Sequence, residues 1–283
     1  MRMLKGLAAI AALTISATVA VPAWADHHQA APQANAAMEA VLASEHRAKD
    51  RARDQYRHPA ETLAFFKVEP GMTVVDYRPA GGGYTRVLVP YLGKGGTYIG
   101  MNPDVSRADE RWQERLGDAA AKMPRLVEGW ESPENARVIG INAGSVPEEL
   151  NGTVDRVLMF REFHNQYRFN WLHDDLAAVR KLLKDDGLVG VVEHRAKPDA
   201  PASYTDGSKG YMREKDVIAI FDAAGFELVG KSEINANPKD PANWPNGVWT
   251  LPPSLGGATD ETRPKLLEIG ESDRMTLLFR KRP

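Results

Sequence analysis

Three polar side chains that can move a proton or hold a substrate lie in the string F-R-E-F-H-N at residues 160–165. The imidazole of His164 titrates near neutral pH and can take a proton from a hydroxyl or an amine. Glu162 can orient that imidazole or act in its place, and the amide of Asn165 can position a substrate through hydrogen bonds. A helix-capping or core histidine with a satisfied partner is an equally weighted alternative for His164.

The histidines and glutamates near the predicted site give no metal-binding pattern. His58 and His194 fall near the ends of predicted elements, where a structural role is favoured. Neither H-x-x-x-H nor a comparable spacing joins Glu162, His164, Glu193 and His194. The sequence therefore predicts no metal site.

A glycine-rich turn follows an apolar segment, in the string V-V-D-Y-R-P-A-G-G-G-Y-T-R at residues 74–86. A buried strand that ends in an acid, then glycines and a helix start, is the build of a nucleotide-binding turn. The acid is Asp76, and the glycines are Gly81, Gly82 and Gly83. Asn102 ends the second strand, where such folds hydrogen-bond ribose hydroxyls. A tight strand-to-helix turn without a ligand is the alternative.

Apolar runs and helical runs alternate along the chain and predict an α/β fold with a doubly wound, parallel sheet. Strands are predicted at residues 72–77, 97–101, 137–141, 154–160, 188–192, 228–234 and 275–279. Helices are predicted at 38–56, 59–66, 84–92, 109–123, 172–183 and 217–221. Residues 235–270 form a long excursion before the last strand. A binding loop and a surface loop without a binding role are equally favoured for it.

Composition excludes several classes of protein. The 283 residues are 43% apolar and 26% charged, as in globular chains, which excludes fibrous and disordered classes. A net charge of −2 gives no bulk attraction to nucleic acid or anionic lipid. The absence of cysteine excludes disulfides, thiolate zinc sites and cysteine nucleophiles. A hydrolase is not favoured, because the chain has no G-x-S-x-G elbow.

The first 25 residues predict an export signal. Arg2 and Lys5 form a positive start, residues 7–21 are apolar, and Ala23-Trp24-Ala25 supplies a cleavage signature. A membrane anchor is the alternative, but this run is shorter than the roughly 20 residues that a spanning helix needs. We expect cleavage after Ala25, a periplasmic or secreted location and no membrane contact thereafter. The predicted parts are a signal peptide (1–25), a tether with helices (26–70) and a Rossmann-like domain (71–283).

Seven strings of the chain carry a family resemblance. They are R-H-P-A-E-T-L-A-F-F (57–66), P-G-M-T-V-V-D (70–76), G-G-G-Y-T-R-V-L-V-P-Y-L (81–92), F-R-E-F-H-N (160–165), G-L-V-G-V-V-E-H-R-A (187–196), A-A-G-F-E-L-V (223–229) and D-R-M-T-L-L-F-R-K (273–281). Together they resemble class I S-adenosylmethionine-dependent methyltransferases, and more closely the exported, methyltransferase-like proteins of bacteria. The resemblance covers nearly all of the mature chain and implies a mostly parallel, seven-stranded sheet with an antiparallel last strand.

The same resemblance implies a cofactor and its ligands. S-adenosyl-L-methionine would be the methyl donor, and an unidentified small molecule would be the acceptor. Asp76 closes the first strand, and the turn at Gly81, Gly82 and Gly83 lies beside the amino-acid part of the cofactor. Asn102 takes the place of the usual ribose-binding carboxylate, and Asn142 would lie near the adenine. The fourth strand would open onto the methyl-transfer site, beside His164 and its neighbours.

Two departures from the superfamily pattern favour an alternative function. The pattern has glycine two, four and six residues after the acid, where this chain has Arg78, Ala80 and Gly82. Asn102 can hydrogen-bond a ribose but lacks the charge-assisted strength of a carboxylate. The alternative to an exported methyltransferase is therefore a non-catalytic, exported ligand-binding protein on the same fold.

Overall fold

The structure is a computed structural model that describes residues 36–283, so the predicted export signal lies outside the described residues. The described chain forms the strands β1 (Thr73–Tyr77), β2 (Thr97–Asn102), β3 (Arg137–Asn142), β4 (Val154–Phe160), β5 (Leu183–His194), β6 (Phe226–Ser232) and β7 (Arg274–Lys281). Its α-helices are α1 (Ala36–Ala43), α2 (Asp54–Arg57), α3 (Pro59–Phe65), α4 (Thr85–Leu92), α5 (Glu110–Leu116), α6 (Ala119–Lys122), α7 (Phe163–Arg168), α8 (Leu172–Leu182), α9 (Glu214–Ala223) and α10 (Arg263–Ile269).

The strands form one sheet in the order β3-β2-β1-β4-β5-β7-β6. The pairs from β3 to β5 are parallel, and β7 lies antiparallel between β5 and β6. The predicted doubly wound sheet with an antiparallel last strand is therefore confirmed. The strand order reverses between β1 and β4, so a crevice opens at the carboxyl ends of these strands, where ligands of such folds bind.

Alternation along the strands assigns side chains to the two faces of the sheet. Val75 and Tyr77 pack with α8 and α9 on one face, whereas Val74 packs with α3 and α4 on the other. In β5, Gly190 leaves room for the buried ring of Phe66, because a Cβ at this position would lie 2.5 Å from that ring. The amino-terminal helices thus pack directly against the middle of the sheet.

Two predicted helices are interrupted. The helix expected over 38–56 ends at Ala43, because Ser44 takes an extended conformation and donates a hydrogen bond to the Val41 carbonyl at 2.5 Å. Two short 3₁₀ turns and α2 follow. The helix expected over 109–123 is split into α5 and α6 at Gly117, whose backbone is also extended.

The carboxyl-terminal elements differ from expectation mainly in length. The strand expected at 188–192 begins at Leu183, which pairs with Val154 ahead of an irregularity in the register with β4. Helices α7 and α10 were not expected from the sequence, because each is a short segment with little amphipathic pattern. Between residues 36 and 283, no helix has both the length and the apolar character to cross a membrane.

Candidate functional site

A polar cavity of about 340 Å³ opens at the carboxyl-terminal edge of the sheet. Its lining comes from the segments that follow β1 and β4, the end of β5, the start of β7 and helices α5 and α7. Of the residues predicted to do chemistry, His164, Glu162 and Asn165 lie at this cavity. Asp76, the turn at 81–83, Asn102 and Asn142 do not line it.

His164 is held by a carboxylate that the sequence did not single out. Its Nδ1 lies 3.0 Å from a carboxylate oxygen of Glu193, which is completely buried. That carboxylate also accepts hydrogen bonds from the backbone N–H groups of His164 and His194, at 3.2 and 2.8 Å. When Nδ1 donates its proton to Glu193, the lone pair of Nε2 is free to accept one. The Nε2 atom has no partner within the described chain.

Glu162 contacts Arg78 and Asn165, and its predicted part in proton transfer stays a prediction. Its carboxylate accepts a hydrogen bond from the Arg78 guanidinium at 2.5 Å and one from the Asn165 amide nitrogen at 2.6 Å. The guanidinium also lies 5.7 Å from the ring centre of Trp112. Glu162 therefore fixes Arg78 and Asn165 across the ends of β1 and β4, whereas Glu193 orients the imidazole of His164.

His164, Glu193 and His194 bring possible metal-ligating atoms within 4.8 Å of one another. The Nδ1 of His194 lies 2.5 Å from the Ser272 hydroxyl, and Glu193 already accepts three hydrogen bonds. Burial, with the charges of His164 and nearby arginines, lowers the pKa of His194 well below its usual value. The nearby arginines repel a cation, and a metal ion would have to displace the hydrogen bonds that Glu193 and His194 already form.

The turn after β1 has the backbone shape of a glycine-patterned loop. Arg78, Ala80 and Gly82 have positive φ angles of 52°, 49° and 74°. Positive φ costs a residue other than glycine roughly 1–3 kcal/mol, and such strain concentrates at ligand sites. The N–H groups of Gly81 and Gly83 have no hydrogen-bond partner among residues 36–283. All three positions where the superfamily pattern has glycine therefore have the left-handed backbone that favours glycine, although two of them hold other residues.

Asp76 faces the interior rather than the cavity. It is almost completely buried and accepts a hydrogen bond from the Tyr98 hydroxyl at 2.9 Å. That hydroxyl also lies 2.8 Å from the Thr85 hydroxyl in α4. Burial raises the pKa of Asp76 to about 7, although the hydrogen bond from Tyr98 opposes the shift.

Asn102 and Asn142 are brought together at the ends of β2 and β3, where they are paired in register. Both amide nitrogens donate to the Leu116 carbonyl, at 2.8 and 2.9 Å. The Asn142 amide oxygen accepts from the backbone N–H of Ala119 at 3.0 Å. The two side chains therefore hold the connection between α5 and α6, and their binding of ribose and adenine stays a prediction.

Positive charge dominates the floor of the cavity. Glu271 accepts hydrogen bonds from Arg53 at 2.5 Å, from Arg57 at 3.3 Å and from Arg274. Burial would raise the pKa of Glu271, but these cations lower it to about 2. Burial and the nearby charge of Arg161 lower the pKa of Arg57 to about 9. The single negative charge of Glu271 therefore faces the positive charges of three neighbouring arginines.

The long excursion at residues 235–270 forms one wall of the cavity. Asp240 anchors it, because this buried carboxylate accepts hydrogen bonds from the Tyr211 hydroxyl, the Trp244 ring nitrogen and the Asp273 backbone, at 2.8, 2.9 and 2.9 Å. The excursion residues at the cavity are Val248, Trp249, Pro252, Pro253 and Ser254. Of the two alternatives that the sequence left open, this position favours a binding loop.

Comparisons with known proteins identify the fold. No family model matches the chain, and no curated protein matches it either. The chain is similar to a solved chain from the complex between the Haloferax volcanii Trm112 methyltransferase activator and a methyltransferase (17% identity, 87% of this chain and 98% of that one, TM-score 0.52). It is also similar to geranyl diphosphate C-methyltransferase from Streptomyces coelicolor, solved with S-adenosyl-L-homocysteine (13% identity, 86% and 87%, TM-score 0.51). These likenesses, with the strand order, show the class I methyltransferase fold.

The raised pKa of Asp76 predicts a pH-dependent stability. The folded protein binds this proton more tightly than the unfolded chain, so the stabilisation is complete below the unfolded pKa and is lost as pH rises through about 7. Asp76→Asn mimics the protonated acid. We expect its stability relative to the wild type to increase by a few kcal/mol between about pH 4 and about pH 8, measured by urea unfolding.

Asp260→Asn is the matched control, because Asp260 is exposed and we expect no such trend for it. Equal pH dependence of the wild type and Asp76→Asn would contradict the assignment of the titration to Asp76.

Proposed function

We propose that the protein is an S-adenosylmethionine-dependent methyltransferase that acts on a small molecule. The observation that carries this proposal is the strained turn after β1, where Arg78 and Ala80 keep the left-handed backbone that the superfamily pattern gives to glycine. It stands at the reversal of strand order, the usual ligand position of doubly wound sheets. The fold of the solved methyltransferases supports the same assignment.

The backbone of this turn offers free donors and open space to a cofactor, whereas the side chains of Asn102 and Asn142 are already hydrogen-bonded within the protein. The free N–H groups of Gly81 and Gly83 can donate to a ligand, and the space next to the Gly81 Cα is open to at least 4 Å. These residues would hold S-adenosylmethionine, which supplies a methyl group on a sulfonium centre. Asn102 and Asn142 would contribute only after exchanging their bonds to Leu116.

The chain's own acid–base group is His164 with Glu193. Glu193 fixes the imidazole through Nδ1, so Nε2 is the atom that would take a proton from an acceptor hydroxyl or amine. Asn165 lies beside it in α7, and its amide oxygen can accept a hydrogen bond from the substrate. This arrangement aligns an acceptor and removes its proton, as methyl transfer requires.

A second candidate, a non-catalytic ligand-binding protein on this fold, is favoured by the Arg78–Glu162 ion pair. The two side chains join the ends of β1 and β4 at 2.5 Å. With a glycine in place of Arg78, the space that the arginine side chain now fills would be open to a cofactor. A protein that binds ligands without methyl transfer needs no such space.

We further propose that the protein is exported, on the pattern of residues 1–25. Export separates an enzyme from the cytoplasmic source of the methyl donor, and this separation favours the second candidate. We expect the exported protein to begin at Asp26, which intact-mass measurement of the protein from a periplasmic or culture-medium fraction would show. A full-length mass would contradict cleavage.

Calorimetry with S-adenosyl-L-homocysteine tests the methyltransferase proposal. We expect the protein to bind it, and we expect Gly81→Ala to weaken binding at least about tenfold, because the proposed cofactor lies along this turn and the added methyl group would take up open space there. The substitution should leave the fold intact, since no heavy atom outside residues 80–82 of the described chain lies within 4 Å of that methyl group.

Gly95→Ala is the matched control, because Gly95 is also exposed and lies in the turn before β2, at the other edge of the sheet. It should leave binding unchanged. No heat with millimolar ligand would contradict the methyltransferase proposal and favour the second candidate. Wild-type affinity in Gly81→Ala would contradict the position of the cofactor.

A further inference from the structure

The cavity has a large excess of positive charge. Among the described residues, the arginines that line it are Arg53, Arg78, Arg115, Arg161, Arg168 and Arg274, and the acids are Glu162 and Glu271. With neutral histidines, four positive charges remain uncompensated. Like charges gathered around one cavity give it a positive potential, so the cavity attracts anions and repels cations.

Arg115, Arg161 and Arg168 form no ion pair in the described chain, but Arg115 and Arg168 are exposed and lie against aromatic rings, whereas Arg161 is partly buried. Its guanidinium forms no hydrogen bond or ion pair with any part of the chain from residue 36 to 283. It lies at the end of β4, and its charge contributes to lowering the pKa of Arg57, His194 and Arg274. An unpaired guanidinium among other cations destabilises the folded protein unless an anion joins it.

Two buried polar atoms of residues that line the same cavity also lack partners. The Nε of Arg274, a side chain that is 1% exposed, is a donor without an acceptor in the described chain. The amide oxygen of Asn165, a residue that is 8% exposed, is an acceptor without a donor there. Buried polar groups are normally hydrogen-bonded, and a ligand that offers an acceptor and a donor would satisfy both atoms.

We propose that this cavity binds a small molecule that carries a carboxylate or phosphate group together with a hydroxyl or amine. The anionic group lies against Arg161 and the Nε of Arg274, and the hydroxyl or amine donates to Asn165. The same hydroxyl or amine is then close to His164, which stands in the same cavity. As the acceptor class of a methyltransferase, this ligand rests on the proposed function, whereas the binding of an anion does not.

Calorimetry with two simple anions, inorganic phosphate and malonate, tests the proposal at low ionic strength. We expect at least one of them to bind, and we expect added salt to weaken its binding. Arg161→Met should weaken it at least about tenfold, because a charge-assisted hydrogen bond is lost. Phosphate binding without malonate binding assigns a phosphate ligand, and the reverse assigns a carboxylate.

Protein stability distinguishes a ligand-binding role of Arg161 from a structural one. Without added anion, Arg161→Met should raise the thermal midpoint, because it relieves repulsion among the cations of the cavity. Arg125→Met is the matched control, since Arg125 is exposed and outside the cavity, and it should change neither anion affinity nor the midpoint. A lower midpoint for Arg161→Met, or no binding of either anion to the wild type, would overturn the proposal.

Competition separates this inference from the proposed function. Anion binding without S-adenosyl-L-homocysteine binding would contradict methyl transfer and leave the anion site standing. Binding of that cofactor product without either anion would overturn only the anion site. If saturating S-adenosyl-L-homocysteine displaced the anion, Arg161 would hold the carboxylate of the cofactor, and the proposed substrate class would be wrong.

Discussion

A buried carboxylate, that of Glu271, joins distant parts of the chain through three arginines. Arg53 and Arg57 precede the sheet in the sequence, whereas Arg274 begins its last strand. Burying such a cluster costs desolvation free energy, which near-complete hydrogen bonding must offset. The cluster holds the amino-terminal helices against the sheet and leaves an excess of positive charge at the cavity. The Glu271 cluster therefore joins the amino-terminal helices to the sheet and also favours negatively charged ligands in the cavity.

The strands and their parallel, doubly wound arrangement followed from local patterns, because buried parallel strands appear in the sequence as short apolar runs. The antiparallel last strand was implied by the family resemblance. The interruptions of the predicted helices did not follow from local patterns. Ser44 ends α1 by a side-chain hydrogen bond to the Val41 carbonyl, and apolar periodicity does not register such competition. The extra length of β5 was missed for another reason: Leu183 continues the apolar pattern of α8 directly into the strand.

The chemistry of the site was only partly visible in the sequence. His164 and Asn165 lie at the cavity, but Glu193, the carboxylate that orients His164, is 29 residues away in the chain. A signal existed, since a glutamate at the end of the apolar run L-V-G-V-V is a buried charge that needs a partner. Arg161 gave no such signal. Its importance comes from the cations that folding brings around it, which no local pattern encodes.

A crystal structure of the protein grown with S-adenosyl-L-homocysteine and either phosphate or malonate tests the central claim most directly. The claim is that a cofactor and an anionic acceptor occupy adjacent places at the carboxyl edge of the sheet. We predict S-adenosyl-L-homocysteine along Gly81–Gly83 and the anion in contact with both Arg161 and the Nε of Arg274. An anion bound elsewhere, or S-adenosyl-L-homocysteine absent from that turn at saturating concentration, would contradict the claim.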